Sequence, residues 1–116
     1  MKPLEKRHSG GILSIDIMSR SIEGRIELFL ASTSTDNTVC VWKRDFAADG
    51  WMFIEQFDGD NIRTGIPLAV SIFEFKSQVF LAIGGISFKI ALCGWTGSSV
   101  SCQLSSLYIF MPLYGS

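Results

Sequence analysis

Hydrophobic side chains recur at every second position through much of the chain. Between residues 12 and 18, for example, Leu13, Ile15 and Ile17 alternate with Ser14 and Asp16. Such alternation is typical of a β-strand with one buried face, whereas an amphipathic helix repeats every 3.6 residues. The pattern therefore predicts strands, and we expect an all-β protein.

The strand signals form two successive groups. Polar or turn-forming segments separate the strands of the first group, and one of these turns, at residues 35–38, contains Asp36 and Asn37, which tolerate left-handed backbone. Antiparallel meanders have this organisation, so we expect one complete four-stranded unit with its linker in residues 1–66 and a partial unit in residues 67–93. The predicted strands are residues 12–18, 28–32, 39–42 and 51–57, then 67–75, 79–83 and 88–93.

Residues 94–116 differ from the rest. They contain six serines, no charged residue and an apolar cluster at residues 107–113. We assign no strand to this uncharged tail.

The charges limit the classes of partner. Ten Lys and Arg residues stand against eleven Asp and Glu, a net charge of −1, which argues against nucleic acid or an anionic membrane as a partner. Residues 1–76 hold all of these charges except Lys89, an unevenness that indicates part of a larger assembly. The longest apolar run, residues 79–95, is interrupted by Gly84, Gly85 and Lys89 and is short for a membrane span.

The residues available for metal or redox chemistry are few. His8 is the one histidine, and the three cysteines, Cys40, Cys93 and Cys102, show no CxxC spacing. An odd number of cysteines without that spacing argues against a disulfide framework and against a zinc site. We expect no metal, no cofactor and a reducing intracellular environment.

One segment carries a recognisable motif. Residues 30–42 contain Ser32 at the end of a predicted strand, Asp36 in the following turn and Trp42 closing the next strand, and His8 lies upstream. This arrangement resembles a WD40 repeat. It departs from the usual pattern at Arg7, where glycine is common, and at Lys43, which replaces a final aspartate.

The resemblance implies a fold and a structural role for the motif. It implies a WD40 β-propeller fragment, with one complete four-stranded blade and most of a second. It also implies a hydrogen-bonded tetrad in which the indole of Trp42 donates to Ser32, Ser32 bonds His8, and His8 bonds Asp36. Residues 84–90 of the second unit lack an Asp-containing turn and a tryptophan, so we expect no tetrad there.

His8, Ser32 and Asp36 are also the residue types of a hydrolytic triad. No glycines flank Ser32 as they would in a nucleophile elbow. Asp36 lies in the turn before the strand that ends with Trp42, the tryptophan that the repeat pattern requires. We therefore expect these residues to have a structural role and the protein not to be an enzyme.

The segments that follow the motif narrow the resemblance. Residues 34–42, 51–60 and 65–72, in that order, are similar to an early repeat in the Elongator scaffold-subunit family. The resemblance implies a cytoplasmic and nuclear scaffold that binds other Elongator subunits and supports wobble-uridine modification of tRNA, with an associated role in transcription elongation. An adaptor propeller of another intracellular complex and a non-functional truncated product are the alternatives.

Overall fold

The computed structural model describes the backbone of residues 7–45, 50–97 and 99–108. All regular elements in this part of the chain are β-strands, which confirms the all-β prediction, and none of it forms a helix with the length and apolarity to span a membrane. The eight strands are β1 (Ile12–Ile22), β2 (Arg25–Ser34), β3 (Thr38–Asp45), β4 (Met52–Asp58), β5 (Pro67–Phe75), β6 (Gln78–Gly85), β7 (Lys89–Thr96) and β8 (Ser99–Tyr108).

The first sheet is an antiparallel meander in the order β1-β2-β3-β4. Its first hairpin is longer than predicted, because the polar stretch 19–27 forms strand on both sides of a two-residue turn. Glu23 and Gly24 both have positive φ, of 51° and 75°, as tight hairpin turns require. Strand pairing therefore continues up to Ile22 and Arg25.

The second sheet has the order β5-β6-β7-β8 and is also antiparallel. Its fourth strand corrects the expected boundary at residue 93, since β7 continues to Thr96 and β8 lies within the segment that carried no predicted strand. Gly97, with a φ of 59°, lies in the turn between these strands. Serine alternates with apolar residues from residue 99 onward, a period-two signal that the absence of charge obscured. Residues 109–116 of the predicted tail lie outside the described part.

Two of the three cysteines are paired. Cys93 and Cys102 are cross-strand partners in β7 and β8 and form a disulfide, so the part of the cysteine expectation that concerned disulfides is wrong. The pairing depends on strand register, which spacing in the sequence does not reveal. Disulfides persist in oxidising compartments, so the cysteines no longer support a reducing environment.

The two sheets pack face to face around a shared apolar core. Phe29 of β2 meets Trp95 of β7 edge to face, with ring centroids 4.9 Å apart. Burying apolar area is the main favourable term in folding, and this contact between the sheets contains most of the buried apolar side chains. The core residues are Phe29, Ala31, Val39, Val41, Ile62, Val70, Ile72, Val79, Leu81, Ile83, Ala91, Cys93, Trp95 and Val100.

Polar side chains of β1 also join the sheets. The Asp16 carboxylate accepts a hydrogen bond from the backbone N–H of Ile72 at 2.6 Å, and the Ser14 hydroxyl accepts one from Val70 at 3.3 Å. These two N–H groups lie on the edge strand β5, where no neighbouring strand can accept their hydrogen bonds. The side chains of Asp16 and Ser14 in the first sheet therefore accept hydrogen bonds from backbone N–H groups at the edge of the second sheet.

Candidate functional site

Three of the four residues of the predicted tetrad come from separate segments in and beside the first sheet. His8 lies in the segment before β1, Ser32 lies in β2, and Asp36 occupies the turn between β2 and β3. His8 and Ser32 are buried, with 7% and 4% of their surfaces exposed. The fold thus brings together side chains that are 24 to 28 positions apart in the sequence.

Hydrogen bonds connect these side chains in a chain. Nε2 of His8 lies 2.7 Å from Oγ of Ser32, and Nδ1 lies 3.2 Å from Oδ2 of Asp36. A carboxylate only accepts hydrogen bonds, so Nδ1 of His8 carries the proton that is directed at Asp36. In the neutral ring Nε2 then accepts a hydrogen bond from the Ser32 hydroxyl. This network ties the incoming segment to β2 and to the β2–β3 turn.

The turn itself is stabilised by Asp36. Its Oδ1 accepts the backbone N–H of Thr38 at 2.9 Å, and its Oδ2 accepts the N–H of Ser9 at 2.8 Å. Asn37, between Asp36 and Thr38, has a φ of 72°, which confirms the predicted turn with left-handed backbone. Burial opposes ionisation of Asp36, but hydrogen bonds from Thr38 and Ser9 and the nearby His8 outweigh it and lower its pKa to about 2.

Trp42 occupies its expected position but does not complete the tetrad. Its indole packs edge to face against the His8 ring, with centroids 6.4 Å apart, and against Phe53 at 5.9 Å. Its Nε1 is buried and has no hydrogen-bond partner in the described part of the chain, so the expected bond to Ser32 is not formed. Trp42 therefore contributes to the cluster by packing.

Two further residues belong to this cluster and were not identified from the sequence. The Thr38 hydroxyl donates to Asp36 and lies 3.1 Å from Nδ1 of His8, and the Gln56 amide donates to Thr38 from β4 at 3.1 Å. Thr38, two residues after Asp36, is placed to bond that carboxylate in an Asx turn, a local signal that could have been read. Gln56 is far away in sequence and carries no such signal. We call His8, Ser32, Asp36, Thr38 and Gln56 the polar cluster.

Ser32, His8 and Asp36 of the polar cluster have the hydrogen-bond geometry of a Ser–His–Asp triad. Whether they could act as one depends on whether a substrate can reach Ser32. A nucleophile must reach a reacting atom of the substrate, but Ser32 is only 4% exposed. Cys40, whose Sγ lies 3.8 Å from Nδ1 of His8, is fully buried as well. Burial, followed by the charge of Asp36, raises the pKa of the Cys40 thiol to about 11, so it stays protonated. The arrangement favours a structural role.

The second sheet carries an apolar residue at the position that corresponds to Ser32. Ile17 pairs with Leu30 in the first sheet, as Ile72 pairs with Leu81 in the second. This register aligns Ser32 with Ile83, a core residue without hydrogen-bonding groups. The part of the second sheet that the structure describes therefore has no equivalent of the Ser32–His8 bond.

Comparison with known protein families and curated proteins identifies no relative of this chain. No protein-family model matches the chain, and no curated protein matches it. His, Cys, Asp and Glu side chains of the described residues form no group of three that could hold a metal ion.

The low pKa of Asp36 predicts a dependence of stability on pH. The ordinary value of 3.8 is lowered to about 2, so the folded state favours the carboxylate. The stabilisation is complete above about pH 4 and is lost as the pH falls towards 2, amounting to about 2 kcal/mol. We expect urea denaturation between pH 2 and 6 to show this loss in the wild type and not in Asp36→Asn. Asp60→Asn, which changes an exposed carboxylate, should retain the wild-type slope; equal slopes in all three proteins would contradict the assignment.

Proposed function

We propose that this chain is a non-catalytic scaffold module of the WD40 type, formed by two blades. The observation that carries the proposal is the Ser32–His8–Asp36 chain of hydrogen bonds inside a four-stranded meander that stacks on a second one. His8, Ser32 and Asp36 have the residue types and the order of three members of the WD40 tetrad, whereas Trp42, the fourth, packs on His8 without a hydrogen bond to Ser32. Burial of Ser32 supports a structural role over hydrolysis.

The partners that we propose are the catalytic and scaffold subunits of the Elongator complex. Support comes from the succession of residues 34–42, 51–60 and 65–72, which is similar to the Elongator scaffold-subunit family. In this role the chain would support wobble-uridine modification of tRNA, and transcription elongation, by holding other subunits. It would bind neither nucleic acid nor membrane directly, in keeping with a net charge of −1.

Affinity purification of the tagged chain from its own cells tests this proposal. We expect the Elongator catalytic subunit to be recovered, and the loss of the chain to lower wobble-uridine modification of tRNA. The tag alone serves as the background control. Absence of the catalytic subunit together with unchanged tRNA modification would refute the Elongator assignment.

A second candidate is an adaptor module of another intracellular complex. It is favoured by the exposed apolar side chains on the outer side of β1, where Ile15 and Ile17 are 64% and 55% exposed. Exposed apolar surface of this kind marks a site of protein interaction. Recovery of one other defined complex in the same purification, in place of Elongator, would support this candidate.

A further inference from the structure

The two sheets are structural repeats of each other, and their common register shows which residues correspond. Both contain the sequence Phe-Leu-Ala at the same place in the second strand, at residues 29–31 and 80–82. The central leucine pairs with Ile17 in the first sheet and with Ile72 in the second. Each position of β1 and β2 can therefore be compared with its equivalent in β5 and β6.

Residues that are buried on β5 are exposed on β1. Val70 and Ile72 face the first sheet and are 8% and 6% exposed, whereas their equivalents, Ile15 and Ile17, are 64% and 55% exposed. Side chains of adjacent residues point to opposite faces of a strand, so Ile15 and Ile17 lie on the face opposite to Asp16, which contacts the second sheet. We call the side of β1 that carries Leu13, Ile15 and Ile17 the leading face.

The second sheet shows the converse pattern. Phe29 is 2% exposed between the sheets, but its equivalent, Phe80, is only partly buried and stacks on Phe73 with ring centroids 5.5 Å apart. Phe73 and Phe75 on the same side of β5 are 38% and 59% exposed. We call this outer side of the second sheet, carrying Phe73, Phe75 and Phe80, the trailing face.

The leading and trailing faces are equivalent to the two surfaces that pack on each other between the sheets of one chain. Between its own sheets, the face that carries Phe29 packs on the face that carries Val70 and Ile72. The trailing face repeats the first of these surfaces. The leading face repeats the β5 part of the second, whereas Leu30 and Trp42 on the same side of the sheet are already buried against Trp51 and Phe53. A chain that presents both faces is complementary to a copy of itself, and the contact is head to tail.

The edge of β1 supports the same pairing. Asp16 caps the N–H of Ile72 at the internal interface, and the residue of the second sheet equivalent to Asp16 is Ser71. Within one chain the N–H of Ile17, the equivalent of the Ile72 N–H, donates to Oδ1 of Asp16 at 3.0 Å. In the contact between copies the Ser71 hydroxyl can replace Asp16 as the acceptor of this bond. Phe75 takes the position of Arg20, whose side chain bonds Glu74 and Ser77, so the contact between copies would be more apolar than the internal one.

We propose that the leading face of one chain binds the trailing face of a second copy of this chain. Because the contact is head to tail, it forms rings where the rotation closes and open arrays where it does not. With two sheets in each chain, about two to four copies supply the four to eight sheets of a closed ring. The proposal rests on the geometry of the two sheets and not on the proposed function.

Single-face variants of the full chain test the pairing. Ile17→Glu places a charge on the leading face, and Phe73→Glu places one on the trailing face. Phe88→Glu is the matched control, since Phe88 is 69% exposed in the turn between β6 and β7 and lies on neither face. Burying an unpaired charge is costly, so each face variant should weaken self-association by about 100-fold or more, whereas the control should associate like the wild type.

Mixing the two face variants distinguishes a head-to-tail contact from any other. The Ile17→Glu chain retains an intact trailing face, and the Phe73→Glu chain retains an intact leading face. In sedimentation experiments we expect each variant alone to be monomeric and the equimolar mixture to form dimers and nothing larger. A β-sheet circular dichroism spectrum for each variant shows that it is folded. A monomeric wild type, a monomeric mixture of folded variants or undiminished association of either variant would overturn the proposal.

Discussion

Replacing Phe29 by alanine is expected to lower the free energy of unfolding by about 3–5 kcal/mol. Phe29 is 2% exposed at the centre of the contact between the sheets, where its ring meets Trp95 at 4.9 Å. The Arg20 guanidinium lies 5.2 Å from the ring centroid and the Lys43 ammonium 5.6 Å, so the substitution also removes cation–π contacts. The substitution would leave a cavity in the apolar core that the two sheets share.

Urea denaturation at one protein concentration measures this effect. Phe88→Ala is the matched control, because it removes the same atoms from a side chain that is 69% exposed in a turn. It should change stability by no more than about 0.5 kcal/mol. If both variants unfolded at the same urea concentration, the core placed between the sheets would be wrong.

Replacing His8 by alanine is expected to cost about 2–3 kcal/mol. The change removes the 2.7 Å bond to Ser32 and the 3.2 Å bond to Asp36. It leaves the Ser32 hydroxyl buried without the imidazole that it bonds, and buried polar groups that lose their partners destabilise the fold. Ser32→Ala removes only the bond between Ser32 and His8, together with the hydroxyl that makes it. This variant should cost about 1–2 kcal/mol.

The double variant His8→Ala/Ser32→Ala isolates the coupling between these residues. Because the two side chains share a hydrogen bond, the double variant should lose about 1–2 kcal/mol less than the sum of the single losses. Ser9→Ala is the control, since Ser9 bonds Asp36 through its backbone N–H, which the substitution keeps. Strict additivity of His8→Ala and Ser32→Ala would show that the network does not act as a unit.

The elements of this fold were largely predictable from local patterns. Alternation, continuous apolar runs and β-branched or aromatic segments located seven of the eight strands, because each of these signals depends only on neighbouring residues. The turn at Asp36 was predictable for the same reason, since an Asx turn is made within three residues. The extent of β1 and β2 was underestimated, because the polar residues 19–27 are held in strand by pairing with each other.

The polar cluster was predicted in part. His8, Ser32 and Asp36 followed from the repeat pattern, and their hydrogen bonds are present in the structure. The Trp42 bond to Ser32 is absent, since the indole ring packs against His8 and Phe53 in an orientation that no motif specifies. Gln56 reaches the cluster from β4, and only the order of strands in the sheet brings it there.

The sequence by itself determined that the chain forms strands, where its tightest turns fall and which residues build the Asp36 turn, because these properties arise within a few neighbouring positions. Only the tertiary structure decided that Cys93 pairs with Cys102. It also decided which apolar residues are buried: Ile72 is 6% exposed and its equivalent Ile17 is 55% exposed. Equivalent residues differ in burial because burial depends on which sheet lies opposite, and that is a property of packing rather than of local pattern.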